Sequence, residues 1–578
     1  MLFPRAAFRA TAASPLMADT RTRTYDPAAL PHWFRWFVAL VVFLPLAFVG
    51  WRATDTMHNI PMWDEFETVL RFLLDFRAAD SVTASVREFF AMANEHCVLT
   101  SRMIFVLLDE LTGGVNFISL ALVGNSFLVG AVVAVRLGIA ERWWRAFALA
   151  WSALVLLHLQ HHENLFSSYA SIDHYQVVFH TTVCLWLLQR PGRWALPAAV
   201  LFAGFAVFTL THGVAVMIVG AVLLALAGRR RDVLQWCVAC ALIFGVFSFV
   251  FTSATLIAPV TWSLPAVGRL LWYWLTMVGG VMSLGAPSVA AWGGIGLLAV
   301  LGLALGRGAW RRDPFLTGVA LTAILGMAFI AYGRFTATGV PALSSRYMVQ
   351  SGFAWIAVGL LVLRALPQSG WGRAGAWLVL LGAGAMNVLA NQRFGYEAWE
   401  FSQRRVDAAH VIEETGSMAG LKRPIFPKTA LGDQILAVSA REGLYVLDVE
   451  PSHEVVAPER LELYPIVFSI DKLTVSRGHV HFRGWMLTKE SISTELQPYV
   501  QVVQGDRTRL FRGRVEWRPD VVKAYPDRPD ALRSGFYFMV PLSQLDSGPH
   551  SLRVVLIGSR RVLYNETQRA IEVPSAVP

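Results

Sequence analysis

Residues 117–136 read FISLALVGNSFLVGAVVAVR, an uncharged apolar run that ends at an arginine. A helix of this length covers the hydrocarbon thickness of a bilayer, and an arginine is typical of the end that stays in water. Similar runs recur up to about Asn391, after which the composition becomes polar. With 55% hydrophobic and only 16% charged residues over 578 positions, the chain is too apolar for a soluble multidomain protein. We therefore predict a polytopic α-helical membrane protein.

About eleven apolar runs are long enough to be membrane spans. They cover residues 34–51, 117–135, 146–159, 174–188, 194–210, 214–227, 234–252, 289–305, 315–332, 348–363 and 374–389. These runs define a predicted transmembrane domain at residues 34–391, which follows an arginine-bearing tail at residues 1–33. The tail has no apolar core before Pro31, so we interpret the first span as an uncleaved anchor.

Basic residues indicate how the spans are oriented. If the N-terminal tail is cytoplasmic, the arginine-rich connections alternate with connections that carry almost no lysine or arginine, as the positive-inside rule requires. This predicts a bacterial inner-membrane protein with a cytoplasmic N-terminus and a periplasmic C-terminal part. The net charge of +10 is then explained by topology, and no nucleic-acid partner is expected.

Polar residues near the predicted outer surface are the candidate site. The first outer loop, residues 52–116, is far longer than a connection needs, and long loops on a rigid scaffold often carry function. Ionisable residues at the mouth of a helical bundle are costly to desolvate, which makes them functional candidates. The candidates for substrate binding are Trp63, Asn94, Glu95, Arg102, His162, Glu163, Asn164, His212, Arg334, Ser345, Arg346 and Tyr347.

Three further residues are candidates for catalysis. Asp64 is the leading general base, Glu65 is its neighbour, which would orient a residue or a metal, and His96 would orient the acceptor or a phosphate. Because Asp64 and Glu65 are adjacent, they cannot form the opposed carboxylate pair of a glycoside hydrolase. Arg346 could hold a phosphate with its planar fork, or it could be an interfacial anchor.

The histidines raise the alternative of a metal site. His158, His161 and His162 have the spacing of one helical face, yet the sequence contains no zinc-peptidase motif. No metal ligand is assigned, and the cofactor stays open, since the acidic motif could hold a divalent metal.

The outer-face residues resemble a known family. Trp63-Asp64-Glu65 preceded by Pro61, the later Asn94-Glu95-His96, and Ser344-Ser345-Arg346-Tyr347 are similar to the pattern of bacterial membrane glycosyltransferases of the GT-C superfamily. The resemblance covers roughly the first 390 residues. It implies a polyprenyl-phosphate sugar donor and an acidic residue in the first outer loop that acts as a base or coordinates a metal. By position, that residue is Asp64.

The polar C-terminal part is predicted to contain two regions. Residues 392–462 are a mixed α/β segment with helices at 397–414 and 431–442 and a short strand at 443–447. Residues 463–578 carry alternating strands separated by glycines, typical of a small β-sandwich. Its composition resembles an accessory β-domain of bacterial glycosyltransferases. Trp485 and Trp517 could bind glycan, or Trp485 could be part of the core.

Two functions remain in competition at this point. The first is a glycosyltransferase that moves a sugar from a polyprenyl-phosphate carrier to an extracytoplasmic glycan or lipid-linked acceptor, with membrane lipid around the site. The second is a non-catalytic transporter or export component for polysaccharide or lipid-linked glycan. A transporter would place its ionisable residues at mid-depth within the spans, whereas these residues gather at the predicted outer ends, which favours the enzyme.

Overall fold

The computed structural model describes residues 31–93, 96–251, 263–335, 341–365, 370–421, 423–447, 449, 451–455, 462–463, 466–488, 497–516, 518–557, 562–564 and 569–573. Several sequence predictions lie outside these residues, namely those on Asn94, Glu95, Trp517 and most of the 1–33 tail.

The first part of the chain is helical. Its helices are α1 (His32–Thr56), α2 (Phe72–Arg77), α3 (Val82–Phe90), α4 (Leu99–Thr112), α5 (Phe117–Gly138), α6 (Arg142–Leu156), α7 (His162–Phe166), α8 (Ser168–Leu188), α9 (Ala195–Thr209), α10 (Ala215–Leu226), α11 (Arg230–Phe251), α12 (Leu264–Val278), α13 (Pro287–Gly306), α14 (Ala309–Arg312), α15 (Pro314–Phe335), α16 (Met348–Ala365), α17 (Gly370–Thr415) and α18 (Thr429–Arg441). A π-helical turn, Phe66–Arg71, precedes α2.

Seven helices in the described ranges are long and apolar enough to cross a membrane, which is the makeup of a multi-pass membrane protein. They are α1, α5, α11, α13, α15, α16 and α17. The remaining predicted spans, at 146–159, 174–188, 194–210 and 214–227, are also helical, as α6, α8, α9 and α10. These four helices are shorter or more polar, so the total of eleven spans stays a prediction.

Close helix packing depends on glycine at some crossings. A Cβ atom on Gly279, which follows α12, would lie 1.9 Å from the Ala290 carbonyl oxygen of α13. A Cβ atom on Gly294 of α13 would lie 2.2 Å from the carbonyl oxygen of Leu275 in α12. Neither distance leaves room for a side chain, so these two helices can approach this closely only because glycine is present.

Arginine also links helix ends. Arg364, in the last turn of α16, lies 2.7 Å from a carboxylate oxygen of Glu141 at the start of α6, and it forms a second ion pair with Asp313 at the start of α15. The Arg364 side chain is 11% exposed, whereas its partner Glu141 is 39% exposed, so the arginine is mostly buried and one of its two carboxylates is in contact with solvent. This cluster joins three helix ends at connections that the sequence assigns to the cytoplasm.

The change of composition at Asn391 does not coincide with a break in the backbone. Asn391 lies inside α17, which continues without interruption from the apolar run to Thr415. The chain divides into two compact units. One contains the described residues of Met1–Val406 together with Ile425–Pro427 and Gln434–Val446, and the other contains Asp407–Pro424, Lys428–Asp433 and the described residues of Leu447–Pro578.

Two small sheets form the C-terminal β-rich region. The strands are β1 (Glu454–Val455), β2 (Glu462–Leu463), β3 (Ile466–Ser476), β4 (His479–Thr488), β5 (Gln497–Gln504), β6 (Arg507–Arg512), β7 (Arg514–Glu516), β8 (Gly535–Pro541), β9 (Gly548–Ile557), β10 (Val562–Tyr564) and β11 (Arg569–Val573). One sheet has the order β1-β6-β5-β9-β10-β2, with β11 also paired to β9, and the other has the order β3-β4-β8-β7. A short helix, α19 (Pro519–Ala524), follows β7.

The two sheets contribute to one core. Phe482 and Phe538 from the four-stranded sheet and Phe511 and Val554 from the larger sheet belong to a single buried cluster. The predicted strands near 466–473, 479–485, 499–503, 536–540 and 552–557 are all confirmed, as β3, β4, β5, β8 and β9. Trp485 is half-buried and packs beside Tyr525, with ring centroids 5.8 Å apart.

One prediction of local structure is wrong. Residues 443–447 form no strand, and the Leu444 carbonyl accepts a hydrogen bond from Val115 N–H at 2.8 Å instead.

Candidate functional site

The site is built around an unusual turn at Trp63. Trp63 has φ 52°, a left-handed conformation that is rare for a bulky residue. Its backbone N–H donates to the Ile425 carbonyl oxygen at 2.7 Å. The π-helical turn Phe66–Arg71 begins two residues after Asp64, and such turns are frequent at functional sites. Asp64 therefore lies between two irregular backbone features, and it is partly buried.

Glu65 is the anchor of this turn. It is 1% exposed, and its Oε1 atom accepts hydrogen bonds from Ser167 Oγ at 2.8 Å, Ser168 Oγ at 2.6 Å and Ser168 N at 2.9 Å. Its Oε2 atom accepts from Met62 N at 2.8 Å and lies 3.5 Å from the buried Arg405 guanidinium. With both oxygens engaged by protein groups, Glu65 can hold the Asp64 backbone in place. It is not positioned to take a proton from a ligand.

Arg346 lies beside the turn. Its Cζ atom is 5.7 Å from the centre of the Trp63 ring, and its guanidinium interacts electrostatically with Asp64. Its Nε atom lies 3.2 Å from Glu163 Oε2. The predicted base and the predicted phosphate ligand, which are far apart in sequence, are thus neighbours.

The loop that carries Arg346 is fixed against α7. Ser345 Oγ accepts a hydrogen bond from Glu163 N–H at 3.1 Å, and the Asn164 side-chain amide donates to the Arg346 carbonyl oxygen at 3.0 Å. Four residues that the sequence analysis selected separately, in two different loops, therefore form one contact region.

Histidines and a second arginine surround His174 on α8. His174 interacts electrostatically with His212, Arg346, His96 and Arg334. Its ring is also 5.8 Å from that of Tyr347. We call these six residues the cationic cluster. It joins residues from the segment before α4, α8, the turn before α10, the end of α15 and the turn before α16, so it brings together five distant parts of the sequence.

His96 has a defined place in the cationic cluster. Its Nδ1 atom lies 3.0 Å from Thr211 Oγ1. Burial, and then the charge of Arg334, lower the pKa of His96 to about 3. The ring is therefore neutral at ordinary pH and can exchange hydrogen bonds with a ligand, but it supplies no fixed positive charge.

Asp64 also interacts with a buried acidic residue, Asp173. Asp173 is 1% exposed, accepts a hydrogen bond from Ser101 Oγ at 2.5 Å, and interacts electrostatically with Asp64 and Tyr169. Arg102 remains within electrostatic range of Asp173. However, Arg102 Nη1 donates to the carbonyl oxygens of Glu88 at 2.9 Å and Phe89 at 3.2 Å, so this guanidinium caps α3 and does not present its fork to a phosphate.

The histidines near α7 do not form a metal site. His161 Nε2 lies 3.2 Å from the Val155 carbonyl oxygen, and His162 Nδ1 lies 3.1 Å from that of Leu159. Burial lowers the pKa of His161 to about 4. In the part of the chain that the structure describes, no three His, Cys, Asp or Glu side chains are arranged to hold a metal ion.

A small cavity of about 30 Å³ with mostly apolar walls adjoins the cationic cluster. It lies between α8, α15 and α16 and is lined by residues that include Val178, Leu185, Val319 and Phe353. His212 also lines it, next to Gln350, and the two side-chain nitrogens are 3.2 Å apart. The cavity and the cationic cluster therefore share one residue.

Sequence reasoning missed several residues of the site. The sequence analysis did not select Asp173 and His174, although both stand at the start of an apolar run, as Arg346 does. Gln350, Ser167 and Ser168 gave no signal of their own. Ile425 contributes only a backbone carbonyl, which no residue pattern reveals. Comparisons with protein-family models, with curated proteins and with solved structures found no match to this chain.

Proposed function

We propose that the chain is a membrane glycosyltransferase of the GT-C type, which transfers a sugar from a polyprenyl-phosphate carrier to an extracytoplasmic glycan or lipid-linked acceptor. The observation that carries the proposal is the proximity of Asp64 to Arg346, within a group that also contains Arg334 and the cluster histidines. A base beside a cationic pocket is what a reaction needs when a proton leaves one reactant and an anion leaves the other.

The proposed chemistry is a single displacement. The acceptor hydroxyl oxygen attacks the anomeric carbon of the donor sugar and forms the new glycosidic bond. The bond from that carbon to the phosphate oxygen breaks, and its electron pair stays on the phosphate. The hydroxyl proton passes to the Asp64 carboxylate. Glu65 takes no proton in this scheme and acts by fixing the turn that carries Asp64.

The cationic cluster supports departure of the phosphate. Arginine keeps its charge and offers paired N–H donors to phosphate oxygens. Arg346 is already paired with Glu163, so a bound phosphate would share this guanidinium with a carboxylate. The neutral His96 ring and its neighbours would add hydrogen bonds without adding charge. In a site of low dielectric these interactions are stronger than in water.

The cavity beside the cationic cluster is too small for a lipid carrier. A polyprenyl chain needs an extended apolar surface next to the place where its phosphate is bound. The cavity between α8, α15 and α16 has a volume of about 30 Å³, which is room for no more than a few water molecules. The proposal therefore places the lipid tail outside this cavity.

The proposal also includes the membrane topology that the sequence predicts. About eleven spans, a cytoplasmic N-terminus, and a periplasmic C-terminal part in a bacterial inner membrane would put Asp64 and Arg346 on the outer side. The β-rich region would then be a periplasmic accessory domain, with a role in binding glycan or a partner protein or as a structural cap.

The proposal is tested in proteoliposomes with a polyprenyl-phosphate sugar and a lipid-linked glycan acceptor. We expect the wild-type protein to form a new glycosidic bond, and Asp64→Asn to lower kcat by about 100-fold or more. Transfer at the wild-type rate by Asp64→Asn would remove Asp64 from the mechanism. Movement of the lipid-linked glycan across sealed vesicles without a new bond would instead favour the transporter.

A further inference from the structure

The Trp63 turn needs an outside support. A bulky side chain at a φ of 52° crowds its own backbone, so this conformation persists only when neighbouring groups hold it. Trp63 is followed directly by the proposed base, and the side chain of Asp64 can be no better positioned than the backbone that carries it. What holds Trp63 therefore matters for the proposed reaction.

The support comes from residues that are distant in sequence. The Ile425 carbonyl accepts the Trp63 N–H at 2.7 Å, and the ring of Phe426 stacks on that of Phe66 with centroids 4.9 Å apart and planes inclined by 18°. Ile425 is 1% exposed, Phe426 is 2% exposed and Phe66 is fully buried. The two contacts fall on the residue immediately before Asp64 and on the residue two positions after it.

We propose that Ile425 and Phe426 form a clamp that positions Asp64 for the transfer reaction. The Ile425 carbonyl holds the left-handed Trp63, and the Phe426 ring fixes Phe66 at the start of the π-helical turn. Neither residue touches the reacting atoms, so both are positioning residues. The functional part of this inference rests on the proposed function, whereas the mechanical part does not.

The backbone between Trp63 and Phe66, the two residues that the clamp holds, explains why loss of the clamp would lower the rate of sugar transfer. The Asp64 carbonyl accepts the Thr68 N–H at 2.8 Å, an α-helical bond that ties Asp64 to a residue inside the π-helical turn. If Phe66 shifts, this turn and the direction of the Asp64 side chain shift with it. A displacement of about 1 Å in a catalytic group can cost about 100-fold in rate. Substrate affinity should change little, because the cationic cluster has its own supports.

The test compares Phe426→Ala and Phe426→Leu with Phe147→Ala in the full-length protein. Phe147 is equally buried, in α6, where it packs on Trp143 and Trp144. Two readouts are used: the amide hydrogen exchange of residues 62–71, which needs no substrate, and the separate values of kcat and KM for sugar transfer.

We expect Phe426→Ala to speed exchange in residues 62–71 and to lower kcat by about 100-fold with little change in KM. Phe426→Leu keeps an apolar contact with Phe66 and should recover much of the rate. Phe147→Ala should leave exchange at 62–71 unchanged.

Unchanged exchange in Phe426→Ala overturns the clamp, and faster exchange with an unaltered kcat overturns its positioning role. A wild-type protein that transfers no sugar refutes the proposed function alone, since the exchange result stands without it.

Discussion

Two adjacent acidic residues have different environments. The sequence predicts that Asp64 and Glu65 point in different directions, because neighbouring side chains diverge on a helix and on a strand. It does not indicate which one becomes buried. The structure encloses Glu65 among serine hydroxyls and backbone N–H groups and places Asp64 beside Arg346. Apart from Met62 N–H, the partners of Glu65 are Ser167 and Ser168 at the start of α8 and Arg405 in α17, all more than a hundred positions away, so local pattern could not reveal them.

Replacement of Glu65 should therefore act on stability. In Glu65→Gln an amide nitrogen would face groups that are themselves donors, and Arg405 would be left without its carboxylate. We expect a loss of about 3–5 kcal/mol in the free energy of unfolding, the usual result of breaking a buried pair. Thermal unfolding in detergent measures it. The exposed Asp75→Asn in α2 is the control, and an equal effect of the two changes would contradict the anchor role.

His96 gives a prediction of pH dependence. Its pKa is lowered from 6.5 to about 3 in the folded protein, so the unfolded chain binds the proton more readily. Its contribution to stability is complete above the unfolded pKa of about 6.5 and is lost progressively as the pH falls toward the folded value. We expect the Tm of the wild-type protein to drop between pH 7 and pH 5. His96→Asn should show a smaller drop, and identical drops would mean that folding does not lower the pKa of His96.

At the scale of helices and strands, periodicity and apolar length predicted most elements. The run 117–135 lies inside α5, and the five predicted strands appear as β3, β4, β5, β8 and β9, whereas the shorter strands of the region were not predicted. Failures occurred where long-range contacts override local preference. The positive φ of Trp63 and the π-helical turn have no residue signature, because a carbonyl from Ile425 and a ring from Phe426 support them.

Helix packing gives a prediction with a control in the same helix. In Gly294→Ala the new Cβ atom would lie 2.2 Å from the Leu275 carbonyl oxygen. A Cβ atom added to Gly296, also on α13, would have no atom within 4 Å of it. We expect Gly294→Ala to destabilise the protein by about 1–3 kcal/mol, as overpacking does. Gly296→Ala should be neutral or slightly stabilising. Thermal unfolding compares them, and equal Tm values would show that α12 and α13 do not pack as described.

For the whole molecule, the composition predicts an apolar helical part and a polar C-terminal part. It does not predict which residues belong to each compact unit. The change at Asn391 marks where the chain becomes polar, yet α17 continues to Thr415. The compact units exchange short segments, with Ile425–Pro427 and Gln434–Val446 grouped with the helical unit. Average composition cannot reveal such short segments, because so few residues hardly change the average. The segment Ile425–Pro427 supplies the clamp.

The central claim is that Asp64 and Arg346 act on one bond. The most direct measurement is a double-mutant cycle in proteoliposomes with Asp64→Asn, Arg346→Gln and the combined variant, assayed for sugar transfer from a polyprenyl-phosphate donor. We predict that each single change lowers kcat/KM by about 100-fold or more, and that the combined loss is much smaller than the product of the two. Transfer at the wild-type rate in either single variant, or losses that simply multiply, would contradict the claim.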